Sequence, residues 1–214
     1  LKPNIQNSSF EWVDSAAGYL QRSDIPDQLR SSRPATAASV LIPLFWHLNE
    51  WHVLFIRRVT NEHDHHSGQV AFPGGRRDDT DADTVATALR EAHEEIGLTA
   101  DKVEVISVLD EYRTSSNFVV TPVVGIVPWP SEYHPQPTEV DRIFSIPLNW
   151  LGDEANVELR DRQLKNADAA LQLKVVYYKP YDGEVLWGAS ARMTLSLLKA
   201  LHTRSLQLPA MDKS

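Results

Sequence analysis

The sequence predicts an α/β (α+β) sandwich built on a mixed β-sheet. Strand-length apolar segments alternate with amphipathic helical ones along 214 residues, enough for one domain with a sizeable core. No internal repeat or low-complexity linker interrupts them. An apolar fraction of 42% and a charged fraction of 23% are those of an ordinary globular chain. We expect an N-terminal helical extension over residues 1–35, a main domain over 36–205 and a short tail over 206–214.

Bulk properties exclude several function classes. The formal charge of −8 argues against a broad nucleic-acid surface, so no nucleic-acid partner is expected. A phosphate-bearing substrate would need local help from cations. No apolar run approaches the roughly 18 residues of a membrane span, so no membrane partner is expected either. The N-terminus, Leu1-Lys2-Pro3-Asn4, does not read as a signal peptide and has no initiator Met. Zero cysteines exclude a disulfide framework and thiolate metal sites, and fit a cytoplasmic setting.

The elements are set by periodicity and punctuation. Residues Ser9–Leu20 read as an amphipathic helix, with Phe10, Val13, Ala17 and Leu20 at helical spacing. It is the candidate surface for a homodimer. Pro26 and Pro34 punctuate the segment between this helix and the first strand. Ser39–Trp46 and Trp51–Arg58 read as two strands joined by a polar turn at His47–Glu50. Thr60–Ser67 is a polar loop, and Gly68–Phe72 a short strand running into Pro73-Gly74-Gly75. The next helix starts near Thr80–Asp83, where small acidic and hydroxyl residues supply an N-cap, and stops at Gly97. Strands are expected at Val103–Leu109 and Phe118–Val127, where Pro122 favours an edge or a bulge. Arg142–Ile146, Val157–Leu159 and Leu171–Tyr178 are weaker strand candidates. Ala189–His202 is a final helix whose Leu, Met and Trp neighbours read as packing.

The chemistry concentrates on the central helix. Val85, Leu89, Ala92 and Ile96 form one face that can pack on a sheet, while Glu91 and Glu95 fall opposite with Glu94 beside them. Glu91 and Glu95 are i,i+4, and Glu94 is i+3 from Glu91, so all three project from adjacent turns. Such like-charge pairs destabilise a bare helix by a few tenths of a kcal/mol each, on the order of the opposite-charge gain. A hard divalent cation reverses the sign, and Mg²⁺ suits a few carboxylates, retained waters and substrate phosphate oxygens. Arg90 can reach Glu94 at i+4 or an acidic residue of the preceding loop. The glycine pair lets backbone approach metal and substrate closely. Solvated charges on a Glu-rich helix are the plainer reading. The Gly-Gly turn, the Arg-Glu pair and the terminal Gly97 together favour the cation.

These residues resemble the Nudix box: Gly, five residues, Glu, seven residues, then Arg-Glu-apolar-any-Glu-Glu-any-Gly-apolar. Arg90 to Leu98 match every fixed position of the second half. In the first half, Gly75 to Arg90 is one residue longer than the pattern, and Asp81 or Asp83 is the nearest acidic stand-in for the glutamate. The start Phe72-Pro73-Gly74-Gly75 and the lengthened acidic loop are similar to the coenzyme A pyrophosphatase branch. So are Leu54–Arg58, Gly68–Phe72, Val120–Gly125, Thr138–Val140, Ile146–Leu148 and Leu186–Gly188. The resemblance covers roughly residues 36–200. Two positions depart from the branch: Asp64 stands where it carries an arginine, and Val59 where it carries serine or alanine.

The resemblance implies a Nudix-type α/β/α sandwich and Mg²⁺- or Mn²⁺-dependent hydrolysis of a diphosphate linkage in a small nucleotide substrate. It implies Glu91 and Glu95 as metal ligands, Glu94 as ligand or water-binding partner, and the Gly75 carbonyl as a backbone ligand. Arg90 would orient the cluster, with Glu94 and Glu139 as candidates for the base. Coenzyme A or its acyl derivatives are the leading substrates. Another nucleoside diphosphate derivative, such as a nucleotide sugar or dinucleoside polyphosphate, is the alternative, followed by a non-catalytic sensor. Arg57, Arg58, Arg76, Gly74 and Gln69 are candidate substrate contacts, with solvated or strand-end roles as the plainer reading for each arginine. His63, His65 and His66 lie in the polar loop. Imidazoles suit zinc or copper better than Mg²⁺, and only His66 matches a histidine of the branch, so it alone joins the candidates. Tyr112, Phe118 and Tyr133 are either adenine-stacking or packing residues.

Overall fold

The computed structural model describes residues 12–13, 34–60, 68–163 and 172–211. Strands β1 (Thr36–His47) and β2 (Glu50–Arg58) form an antiparallel hairpin paired from Leu44↔Val53 to His47↔Glu50. Its two-residue turn holds Leu48 and Asn49 at φ of 50° and 63°, the left-handed pair a tight hairpin demands. Beyond Leu44 the two strands diverge, and the chain returns to fill the fork. There β3 (Val70–Ala71) pairs with β2, and β4 (Gly74–Arg76) pairs with β1.

The other edge of β1 runs parallel to β7 (Phe118–Ile126), from Thr36↔Phe118 to Leu44↔Ile126. Antiparallel strands β5 (Glu104–Val108) and β6 (Tyr112–Arg113) line the far side of β7. Strand β8 (Val140–Pro147) lines β2, completing an eight-stranded mixed sheet. A two-stranded ribbon, β9 (Val157–Gln163) with β10 (Gln172–Tyr178), stands apart from it.

Both faces of the central strands are buried, which is why β1 and β2 read as almost continuous apolar runs. Leu41 and Phe45 of β1, Leu54 and Ile56 of β2 and Val123 of β7 pack under helix α1 (Thr84–Ile96). Their neighbours Ile42, Leu44, Val53, Phe55, Val120 and Val124 face the other way, in a cluster with helix α3 (Gly188–His202). A short helix α2 (Leu148–Leu151) comes directly after β8. The result is a helix–sheet–helix sandwich. Of the expected Ser9–Leu20 helix, only Trp12 and Val13 are described. Both are helical; Val13 is buried, and the Trp12 indole donates to the Gly152 carbonyl at 2.7 Å.

Expected punctuation meets the observed ends of α1. The Asp83 side chain caps it by accepting from the Ala86 amide at 2.8 Å, and Gly97 closes it at φ 70°. Its faces differ from the expected ones. Ala88, Ala92 and Ile96 are fully buried, with Val85 and Leu89 only at the margin of the same cluster. Glu95 is not on an outward face; it is 2% exposed. The cause is β4 in the sheet fork, which covers that side of the helix. Pro122 does not sit at an edge, since β7 lies between β1 and β5. The Pro122 carbonyl accepts from Leu109 at 2.9 Å, so its missing amide would face the same side. There three residues, Leu109 to Glu111, oppose two on β7, a bulge that removes the need for the donor.

Candidate active site

The fork brings the glycine turn under α1. Backbone crowds the space over Gly74, and the Glu91 carboxylate occupies the space over Gly75. A Cβ on Gly74 would stand 2.4 Å from the Ser39 carbonyl oxygen, and one on Gly75 would stand 2.5 Å from the Glu91 carboxyl carbon. The Gly74 amide donates to Glu95 Oε2 at 2.9 Å, while Arg58 Nη1 lies 3.7 Å from Glu95 Oε1. Two acidic side chains of α1 thus lie against successive residues of one turn.

Arg90 is the hub of the cluster. Its Nε and Nη2 donate to the two oxygens of Asp81, both at 3.0 Å, in the bidentate geometry a guanidinium favours. Nη1 donates to Glu91 Oε1 at 2.9 Å and to Glu94 Oε2 at 3.0 Å, and Nη2 also reaches the Arg76 carbonyl at 2.9 Å. Asp81 is buried and accepts further from the Thr87 hydroxyl at 3.0 Å and the Asp78 amide at 2.9 Å. The two acidic stand-ins have therefore divided the work: Asp81 anchors Arg90, and Asp83 caps the helix. Counting six residues on from Gly75, as the box pattern does, lands on Asp81. The extra residue lies between Asp81 and Arg90.

The electrostatics separate the carboxylates. Hydrogen bonds from Arg90 hold Asp81 well below the ordinary carboxylate range, and the same bonds raise the Arg90 pKa. Burial pushes Glu95 up to about 7, against the opposing Gly74 amide and Arg58, with Glu91 and Glu139 adding to the rise. Burial likewise raises Glu91, opposed by Arg90 and reinforced by Glu94 and Glu139. Glu139 is exposed but near enough to act on both. Its loop is strapped to the C-terminus of α1: His134 and Gln136 amides donate to the Ile96 and Glu95 carbonyls at 2.9 and 2.8 Å, and the Val59 amide donates to the Glu139 carbonyl at 2.9 Å. Among the described residues, no three His, Asp or Glu side chains form a ready-made metal cage.

Residues 36–167 match the NUDIX domain. The chain belongs to the Nudix family. It is 35% identical over 180 residues to an uncharacterized Nudix hydrolase, NudL, of Pectobacterium atrosepticum, covering 84% of this chain and 90% of that one. It is 38% identical over 138 residues to the peroxisomal coenzyme A diphosphatase NUDT7 of Mus musculus, covering 64% of this chain and 58% of that one. Among solved structures, the Nudix hydrolase RenU of M. smegmatis overlays with a TM-score of 0.53 at 19% identity, covering 84% of this chain and 92% of that one. This likeness supports the Nudix sandwich. The protein is a Nudix hydrolase, and Arg90 to Leu98 carry the second half of its box.

The remaining candidates scatter around the Nudix helix. Arg57 is not beside it. Successive strand residues point to opposite faces, so Arg57 leaves β2 on the α3 side. It pairs there with Asp141 and, at 2.9 Å, with Glu184, which also accepts from Arg142 at 2.9 Å. Arg76 has an exposed side chain next to the acidic turn, and Gln69 is fixed through its carbonyl, which accepts from the Arg58 amide at 3.0 Å. His66 and its neighbours His63, Asp64 and His65 lie outside the described residues. Tyr112 and Phe118 pack on the α3 side of the sheet, away from the box. Tyr133 packs near α1; its hydroxyl donates to the Pro128 carbonyl at 3.0 Å and burial pushes it up to about 12. Among the described residues, no helix is long and apolar enough to cross a membrane.

Proposed function

We propose that this chain hydrolyses the diphosphate linkage of coenzyme A or acyl-coenzyme A, releasing 3′,5′-ADP and (acyl-)phosphopantetheine. The Arg90-centred carboxylate cluster carries the reaction type. Its donors are all oxygens, they outnumber the nearby guanidinium groups, and Glu95 is buried with its charged form disfavoured. That set fits a hard divalent cation, Mg²⁺ or Mn²⁺, which completes its shell with water and phosphate oxygens and needs no closed protein cage. Glu91, Glu95 and the Gly75 carbonyl would hold it, with Glu94 as a further ligand or water partner. When bound, such a cation supplies Lewis-acid charge to the phosphate oxygens and lowers the pKa of a coordinated water.

The chain's own groups do the rest. Arg90 fixes Glu91 and Glu94 from one planar fork, so the carboxylates meet the substrate already oriented. Glu94 or Glu139 takes the proton of the attacking water; both are exposed. Arg58 and Arg76, with Gly74 and Gln69 beside them, face the phosphates. Coenzyme A is supported by the lengthened loop after Phe72-Pro73-Gly74-Gly75 and by the likeness to a relative named a coenzyme A diphosphatase. Asp64, where that branch carries arginine, favours a second reading: hydrolysis of a nucleotide sugar or dinucleoside polyphosphate. A panel of coenzyme A, acyl-coenzyme A, nucleotide sugars, dinucleotides and nucleoside triphosphates with Mg²⁺ or Mn²⁺, read by product mass, tests both. Preferred cleavage of coenzyme A is expected, and Glu95→Gln should remove nearly all of it. Turnover confined to another nucleotide diphosphate supports the second reading, and binding without turnover overturns both.

A further inference from the structure

Ser39 belongs to no motif, yet it stands next to the acidic cluster with an unused hydroxyl. The β1–β4 ladder sets it directly opposite Gly75. Opposed residues of antiparallel strands project from the same face, with Cβ positions about 4.5–5.5 Å apart. Gly75 supplies no side chain, and the Glu91 carboxyl fills that space, 2.5–2.6 Å from where a Cβ would stand. Leu41, two residues along β1, packs in the α1 cluster, so Ser39 points to the same side. Ser39 is 1% exposed, and its Oγ has no hydrogen-bond partner among the described residues. A buried hydroxyl without a partner is costly, and alanine would fill the position without that cost. Glu91 Oε1 is meanwhile committed to Arg90 at 2.9 Å.

We propose that Ser39 is a positioning residue for Glu91: with Oε1 held by Arg90, its hydroxyl donates to the Glu91 carboxylate when the other oxygen meets a divalent cation. The inference rests on reading Glu91 as a cation ligand. A ligand carboxylate needs an outer hydrogen bond to hold its orientation, and Ser39 is the buried donor that β4 brings alongside.

Ser39→Ala tests it in the full chain, with Mn²⁺ as the probe. Calorimetry should show Mn²⁺ binding weakened by about tenfold. The cation-free Tm should be unchanged or higher, because only an unsatisfied group has been removed. The Mn²⁺ concentration giving half-maximal turnover should rise while the substrate KM at saturating Mn²⁺ stays constant. Unchanged Mn²⁺ affinity overturns the proposal. So does a clear fall in the cation-free Tm, which would give the hydroxyl a purely structural bond. Glu95→Gln separates the two levels. If it binds Mn²⁺ like the wild type, the cation reading itself fails. If it loses Mn²⁺ while Ser39→Ala does not, only the role of Ser39 fails.

Discussion

Two opposing influences set the protonation of Glu95. Burial disfavours its charge, while the Gly74 amide and Arg58 favour it, and burial wins, leaving the group near pH 7 against an ordinary value of 4.5. Between those values the folded chain holds a proton that the unfolded chain has released. Stability due to Glu95 is therefore full below about pH 4.5, falls as pH rises toward 7, and stays reduced above it, by on the order of 3 kcal/mol. Asp81 works in the opposite direction, since its depressed value makes its contribution present at neutral pH and lost in acid. Comparing Glu95→Gln with the wild type cancels the Asp81 contribution. The cation-free variant should melt several degrees higher at pH 8, by roughly 2–4 °C per kcal/mol, and nearly together with the wild type at pH 4.5. A difference in melting temperature that does not change with pH would contradict the assignment. The helical members of this cluster were readable from spacing, because Arg90, Glu91, Glu94 and Glu95 must share adjacent turns. The burial of Glu95 was not readable. A helical wheel gives the direction of a side chain and says nothing of the strand that packs over it.

At the level of the element, α1 and the loop before it act as one unit. Asp81 and Asp83 look equivalent in sequence, two acids at the start of a helix, and their separate duties depend on where the loop turns. Asp83 supplies one cap bond to the Ala86 amide from an exposed position. Asp81 accepts from Arg90 twice, from Thr87 and from the Asp78 amide while buried. Asp83→Ala should cost about 1 kcal/mol, the usual worth of an N-cap. Asp81→Ala takes the bidentate partner from the Arg90 guanidinium and one acceptor from the Thr87 hydroxyl, which keeps the Asp83 carbonyl at 3.2 Å, and should cost roughly 2–3 kcal/mol, tempered by the 24% exposure of Arg90. Urea midpoints of the two variants check the order. Equal losses would mean that Arg90 has found other partners. Only Asp81→Ala should also weaken Mn²⁺ binding, since it frees the fork that orients Glu91 and Glu94. The ends of α1 were legible from Asp83 and Gly97. The pairing of Asp81 with Arg90 was open, because one extra loop residue allowed either acid to reach.

The whole molecule explains which arginines can serve the site. The sheet has two covered faces, and β4, set in the fork of the β1–β2 hairpin, brings the glycine turn against Glu91 and Glu95 of α1. The mixed sheet and its two helices are legible in apolar runs and turn residues. The fork is not, because β3 and β4 are two and three residues long and carry almost no pattern of their own. Alternation along β2 therefore decides between neighbours that looked alike: Arg58 sits 3.7 Å from Glu95, and Arg57 joins Glu184 and Arg142 on the opposite face. That second cluster ties β2 and β8 to the turn Tyr181–Glu184, ahead of α3, and Glu184 is buried between its two cations. Arg57→Ala leaves Glu184 still paired with Arg142, so the loss should be about 1 kcal/mol, or a few degrees of Tm. Its KM for the diphosphate substrate should match the wild type. Arg58→Ala removes a cation beside the acidic turn, and with it the phosphate contact proposed above, so KM should rise about tenfold. Steady-state kinetics and thermal melts on both variants decide it. An Arg57→Ala KM that rises as far as that of Arg58→Ala would show that the α3 face reaches the substrate, against the two-faced geometry of the strand.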